Sequence, residues 1–102
     1  MTKPVAIDAA AQTEIDDALN ESMKFGAQTV AEFRQAIQDL WGLIGTNPAS
    51  GAKASGTICR QFPMTKYPYY VIYEEEPNRI RVYAFGHARR RPGYWKKRLR
   101  NP

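Results

Sequence analysis

Between Val30 and Ile44 the apolar side chains recur every third or fourth residue, and from Tyr69 to Phe85 they recur in strand-like alternation. Val30, Phe33, Ile37, Leu40, Trp41 and Ile44 line one face of a helix, because 3.6 residues make a turn. A chain that changes period in this way must pack a helical layer on a sheet. Upstream, Ile15, Ala18, Leu19 and Ser22/Met23 repeat at the same helical spacing, with Glu14, Asp16, Asp17 and Glu21 assigned mostly to other faces. Asp8 is placed to cap this first helix, and Gly26 to stop it. Thr29 and Glu32 have the spacing of a capping box for the second helix, which Gly45 and Asn47-Pro48 end. Two amphipathic helices with a short glycine-containing link form a hairpin.

Residues 46–56 read as a polar loop, and the strand signals follow it. Thr57–Phe62, Tyr69–Glu74 and Arg79–Phe85 are the candidate strands, with Ile80, Val82 and Ala84 expected on one face of the last. Pro63-Met64-Thr65-Lys66 and Glu76-Pro77-Asn78 are the turns between them. Lys3 to Ile7 is a short edge strand that tolerates Pro4. The expected fold is therefore α+β: a short N-terminal edge strand and a two-helix hairpin packed on a mainly antiparallel sheet of three to four strands. With 102 residues it forms one domain, 1–102, that ends in a basic C-terminal tail.

Charge divides the chain more sharply than hydropathy does. Residues 1–50 hold three basic residues against seven acids, a balance of −4, whereas residues 51–102 hold twelve against three, a balance of +9. No acid follows Glu76, and seven of the fifteen basic residues lie between Arg89 and Arg100. Such asymmetry raises a positive field over one part of the surface and favours a polyanion or an acidic protein segment. Cys59 stands alone, so no intrachain disulfide can form; inside a strand it is expected to act as a small buried hydrophobe. No stretch approaches the roughly 18 apolar residues of a membrane span, and the N-terminus does not read as a signal peptide. The expected compartment is the cytoplasm, with no membrane partner.

Dinucleotide, P-loop, zincin and zinc-cluster motifs are missing, as is a nucleophile elbow, so no metal or cofactor is called for. The informative segment is Phe85-Gly86-His87-Ala88-Arg89-Arg90-Arg91-Pro92-Gly93-Tyr94-Trp95-Lys96-Lys97-Arg98. Arginines interleaved with aromatic rings suit phosphate-rich partners, since guanidinium groups pair with phosphate while rings stack on bases. His87 adds the one side chain able to move protons near neutral pH. Trp95 and Tyr94 could instead fold back onto the sheet while the arginines are merely solvated; a buried Tyr94 would still need a hydrogen-bond partner.

This run, with Pro68-Tyr69 and Tyr73 before it, resembles the C-terminal half of RelE/ParE toxins, where a strand closes on a His-x-x-Arg-x-Pro-x-Tyr-Trp-x-x-Arg pattern. Here the pattern falls on His87, Arg90, Pro92, Tyr94, Trp95 and Arg98. The N-terminal half resembles that family in architecture only.

The resemblance implies the toxin of a type II toxin–antitoxin module, neutralised by an antitoxin segment that is acidic and partly disordered. It implies two alternative targets. ParE-like members poison DNA gyrase; RelE-like members cleave mRNA on the ribosome without metal. In the second case Arg60, His87, Arg90 and Tyr94 are the catalytic candidates, with Lys66, Arg89, Arg91, Trp95, Lys96 and Arg98 as target- or nucleic-acid-binding residues. Ala88 occupies a place where RelE-like sequences usually carry arginine, and the His-x-x-Arg-x-Pro-Gly-Tyr-Trp form favours the ParE-like branch. A non-toxic nucleic-acid-binding protein remains the alternative outside the family.

Overall fold

The computed structural model describes residues 2–100. β1 (Val5–Ile7) leads into α1 (Ala9–Ser22), and a single 3-10 turn then connects to α2 (Ala27–Thr46). β2 (Ala52–Lys53), β3 (Arg60–Pro63), β4 (Tyr69–Glu75) and β5 (Ile80–His87) follow, and a 3-10 turn over Lys96–Arg100 ends the described chain. The sheet order is β1-β5-β4-β3-β2; β1 runs parallel to β5 and every other pair is antiparallel. This is the expected α+β layering. The fifth strand comes from the polar loop, where Ala52 and Lys53 pair with Gln61 and Arg60.

Each helix turns its apolar stripe onto the sheet. Ala11, Ile15, Ala18 and Ser22 are buried along α1, and Phe33, Ile37, Leu40 and Ile44 along α2. Gly26 makes the corner between them at φ 100°, a left-handed conformation that costs a β-carbon residue strain. Gly45 is needed for a different reason. A Cβ there would stand 2.7 Å from the carbonyl oxygen of Lys3, whose own N–H bonds to the Gly45 carbonyl at 3.0 Å.

Two of the expected caps do not form. α2 begins at Ala27, before Thr29, so Thr29 Oγ1 donates back to Phe25 O and Glu32 accepts from Gln28. Asp8 does precede α1, but its carboxylate is taken by Arg81, with Nε to Oδ1 at 3.0 Å and Nη2 to Oδ2 at 3.1 Å. A bidentate guanidinium partner outcompetes the weaker cap bond.

A bulge corrects the reading of β5. Ile72 pairs with Ala84 but Tyr73 pairs with Val82, which leaves Tyr83 extra. The alternation therefore slips: Ile80, Val82 and Phe85 pack with the helix-side clusters, whereas Tyr83 and Ala84 pack on the opposite face with Cys59, Tyr70, Ile72 and Trp95. Both faces of the central strands are consequently covered, one by the hairpin and one by the C-terminal tail. Tyr73 ties the loop before β2 to the sheet: its hydroxyl donates to Pro48 O at 2.7 Å and accepts the Gly51 N–H at 3.0 Å.

Candidate functional site: the tail and the grooves beside it

The tail leaves β5 by a tight series of turns. Ala88 N–H bonds to Pro68 O at 2.7 Å, Arg90 N–H to His87 O at 2.9 Å, and Tyr94 N–H to Arg91 O at 3.2 Å. Gly93, at φ 75°, permits the last of these reversals. Trp95 then enters the outer core and is only 2% exposed, with half-buried Tyr94 and Leu99 beside it. Trp95 is thus an anchor rather than a surface contact residue: its ring packs with Cys59, Tyr70, Ile72, Tyr83 and Ala84, the last two turned to this face by the β5 bulge.

The organising residue is one that the sequence reading placed off the buried face. Glu14 sits at i+3 from Ala11 and i−4 from Ala18, on the same stripe as Ile15, and its side chain is 12% exposed. Its carboxylate accepts from Phe85 N–H at 3.0 Å, Tyr94 Oη at 2.6 Å, Arg98 Nη1 at 2.8 Å and Arg98 Nη2 at 3.2 Å, with Arg90 Nη1 more distant at 3.4 Å. Arg98 also donates to Tyr83 O at 3.0 Å. β1 ends at Ile7, opposite Val82, so the next stretch of β5 lacks a strand on that side. Glu14 and Arg98 supply the acceptor and donor that such a strand would have given Phe85 and Tyr83.

Burial alone would raise the Glu14 carboxyl, but the hydrogen bonds from Arg98, Tyr94 and the Phe85 N–H outweigh it and hold it below its ordinary value. Tyr94 shifts the other way: burial, then donation to the Glu14 carboxylate, raises its hydroxyl well above the usual tyrosine range. Its proton is held, and the ring is flanked by the Arg90 guanidinium at 3.8 Å and that of Arg98 at 5.2 Å.

Glu14 therefore splits the basic run into two sets. Arg90, Tyr94 and Arg98 turn toward the carboxylate and hold the tail. Arg89, Arg91, Lys96 and Lys97 are exposed, and among the described residues none of these four has a carboxylate within ion-pair distance. His87 is half-buried, edge-on to the Tyr69 ring at 5.1 Å. Its Nδ1 accepts the Arg89 N–H at 3.0 Å, which places the proton of the neutral ring on Nε2.

The remaining candidates lie elsewhere. Arg60 pairs with Tyr73, which pairs with Val82, whereas His87 pairs with Tyr69 at the far end of β5. Four residues of β4, Tyr69 to Tyr73, separate the two levels, about 13 Å at strand rise. Arg60 is occupied in the β2 loop, donating to Gly51 O at 2.8 Å. Lys66 is exposed on the β3–β4 turn.

Two grooves flank that turn. One, of about 430 Å³, lies between α2 and β3, floored by Ala36, Leu40, Leu43, Phe62 and Met64. The other, of about 620 Å³, lies on the tail side of the sheet, with Lys53, Arg90 and Lys96 among its walls. Pro63, Met64 and Tyr67 border both. Among the described residues there is no cluster of metal-ligating side chains, and no helix is long and apolar enough to cross a membrane.

The family model described as ParE toxin of type II toxin-antitoxin system, parDE, matches residues 5–92. A solved structure described as the chromosomal ParDE TA system from P. aeruginosa superposes with a TM-score of 0.73 at 11% identity, over 84% of this chain and 96% of that one. At that identity the likeness concerns the fold. No curated protein sequence matches the chain.

Proposed function

Because the chain belongs to the ParE toxin family and is the toxin of a type II toxin–antitoxin module with a cognate antitoxin as partner, we propose that it arrests bacterial growth by poisoning DNA gyrase. The observation that carries this reading is the Glu14 cluster. It ties the cationic tail to α1 and engages Arg90, Tyr94 and Arg98 in doing so. Metal-independent RNA cleavage needs cations at the scissile phosphate together with groups free to take and give protons. Here Tyr94 keeps its proton against Glu14, and Arg60 stands at the other end of the sheet. Arg89, Arg91, Lys96 and Lys97 are instead available to an anionic partner, as a binding surface requires.

The antitoxin reading follows from the same field. An acidic segment that folds on binding would neutralise the tail surface around Arg89–Arg91 and block it sterically.

A supercoiling and cleavage assay with purified protein and DNA gyrase tests the target. Loss of supercoiling with accumulation of linear DNA is the expected result. Intact gyrase activity at toxin excess, with mRNA cleaved on added ribosomes, would overturn it and return His87, Arg90 and Tyr94 to catalytic roles. Harmless expression combined with salt-sensitive binding to DNA or RNA would leave only a nucleic-acid-binding protein.

A further inference from the structure

Two large apolar side chains stand in solvent at the corner of the helical hairpin. Met23, 63% exposed, and Phe25, 67% exposed, lie on the 3-10 turn between α1 and α2, on either side of Lys24. Neither belongs to any of the three core clusters. Lys24 pairs with Glu21 of the preceding helix, and its ammonium lies 5.7 Å from the centre of the Phe25 ring.

The same molecule carries a hollow of matching character. The groove of about 430 Å³ between α2 and β3 has an apolar floor, and Leu43 at its edge is 44% exposed. Glu32 and Asp39 stand on its α2 rim and Lys66 on the opposite one. The two carboxylates accept from Gln28 and Gln35 of their own helix, and among the described residues no cation pairs with either. An apolar corner built around a cation and an apolar groove edged by carboxylates are complementary in both hydropathy and charge.

From this complementarity we infer that the hairpin corner of one copy docks in the α2–β3 groove of a second copy, with Met23 and Phe25 on the floor and Lys24 toward Glu32 and Asp39. The corner cannot fill its own groove. Phe25 precedes α2, and Glu32, where the groove wall begins, lies seven residues further on, about 10 Å along one continuous helix. Each copy therefore offers one surface and receives a different one, so the contact repeats along an open chain instead of closing a symmetric pair. Few side chains are buried, which makes the association weak and dependent on concentration. The charge of +5 on each copy opposes the approach but is screened beyond about 8 Å at 0.15 M salt. Arg89, Arg91, Lys96 and Lys97 belong to neither surface, so the inference holds whatever the tail engages.

Sedimentation of the purified full chain, with two exposed double variants, tests this. Met23→Ser with Phe25→Ser removes the corner, and Glu32→Lys with Asp39→Lys reverses the rim. The average mass of the parent should climb with concentration and pass that of a dimer. Each double variant alone should associate at least about tenfold more weakly. Their equimolar mixture should recover association and stop at a one-to-one pair, because one partner supplies the only intact corner and the other the only intact groove. Amide spectra confirm that each variant keeps the parent fold. In the mixture, labelled corner variant should shift at Leu40, Leu43 and Met64, and labelled rim variant at Lys24 and Gly26.

A parent that stays monomeric at millimolar concentration would overturn the inference. So would a parent mass that levels off at the dimer, double variants that associate as the parent does, or a mixture no heavier than its parts.

Discussion

The hydroxyl of Tyr94 donates to Glu14 Oε2 at 2.6 Å, joining residues 80 positions apart in the sequence. It reaches the carboxylate past Gly86, where a Cβ would stand 2.7 Å from the Tyr94 oxygen and 3.0 Å from the Tyr70 ring. Helix α1, strand β5 and the tail thus meet at one small residue and one charge.

Gly86→Ala should therefore destabilise the protein by about 1–3 kcal/mol, the usual cost of overpacking. Adding Tyr94→Phe removes the oxygen that the new methyl would strike. Denaturant melts should show the pair as less than additive; strict additivity would mean that the two sites do not touch.

Removing the Glu14 charge should loosen the tail while leaving the hairpin and sheet in place. Glu14→Ala strips charge-assisted hydrogen bonds and should cost about 2–3 kcal/mol. Hydrogen exchange should show faster amides across residues 90–98 and unchanged protection in α2. Uniform loss of protection would show that Glu14 supports the whole fold instead.

The same carboxylate sets an acid limb. Its folded value lies below its ordinary 4.5, so its stabilisation is complete above about pH 4.5 and fades as pH falls through the depressed value. Glu14→Gln should flatten that part of the stability profile between pH 5 and strongly acid solution. An unaltered slope would assign the acid sensitivity to other carboxylates.

Trp95 and the exposed lysines should separate stability from action. Trp95→Ala opens a cavity in the outer core and should cost about 3–5 kcal/mol. Lys96→Ala with Lys97→Ala should stay within about 0.5 kcal/mol of the parent yet weaken gyrase inhibition. The reverse pattern, a stable Trp95→Ala or a fully active double lysine variant, would contradict the division between anchor and contact.

Cys59 should be chemically silent. Burial, reinforced by the Glu74 charge, pushes its thiol up to about 11. At pH 8 Ellman's reagent should react slowly with the native protein and promptly once urea exposes the strand. Prompt reaction without denaturant would place Cys59 outside the core.

Much of the architecture was legible because it depends on local periodicity. The helical spacing of Phe33, Ile37, Leu40 and Ile44 and the turn at Glu76-Pro77-Asn78 are encoded within a few residues. Gly26 at the corner is readable for the same reason. The basic run and its family resemblance are also linear features, and residues 5–92 match the family model.

What the chain alone did not reveal depends on partners distant in sequence. Thr29 and Glu32 have capping-box spacing, but the helix start was decided by the corner at Gly26. Asp8 could cap α1 until Arg81, 73 positions away, offered two donors. Ala84 changes face because register between β4 and β5 is a property of two strands, and the extra residue Tyr83 appears only when they pair. Glu14 did carry a signal, a carboxylate on the stripe shared by Ala11, Ile15 and Ala18, but its meaning required the tail.

The sequence by itself determined the helical and strand periods, the α+β order and the concentration of cations after Gly86, since each is written in spacing or composition. Only the tertiary structure decided which of those cations hold the tail and which face outward. A carboxylate can select its partners only after folding has brought β5 and residues 90–98 to α1.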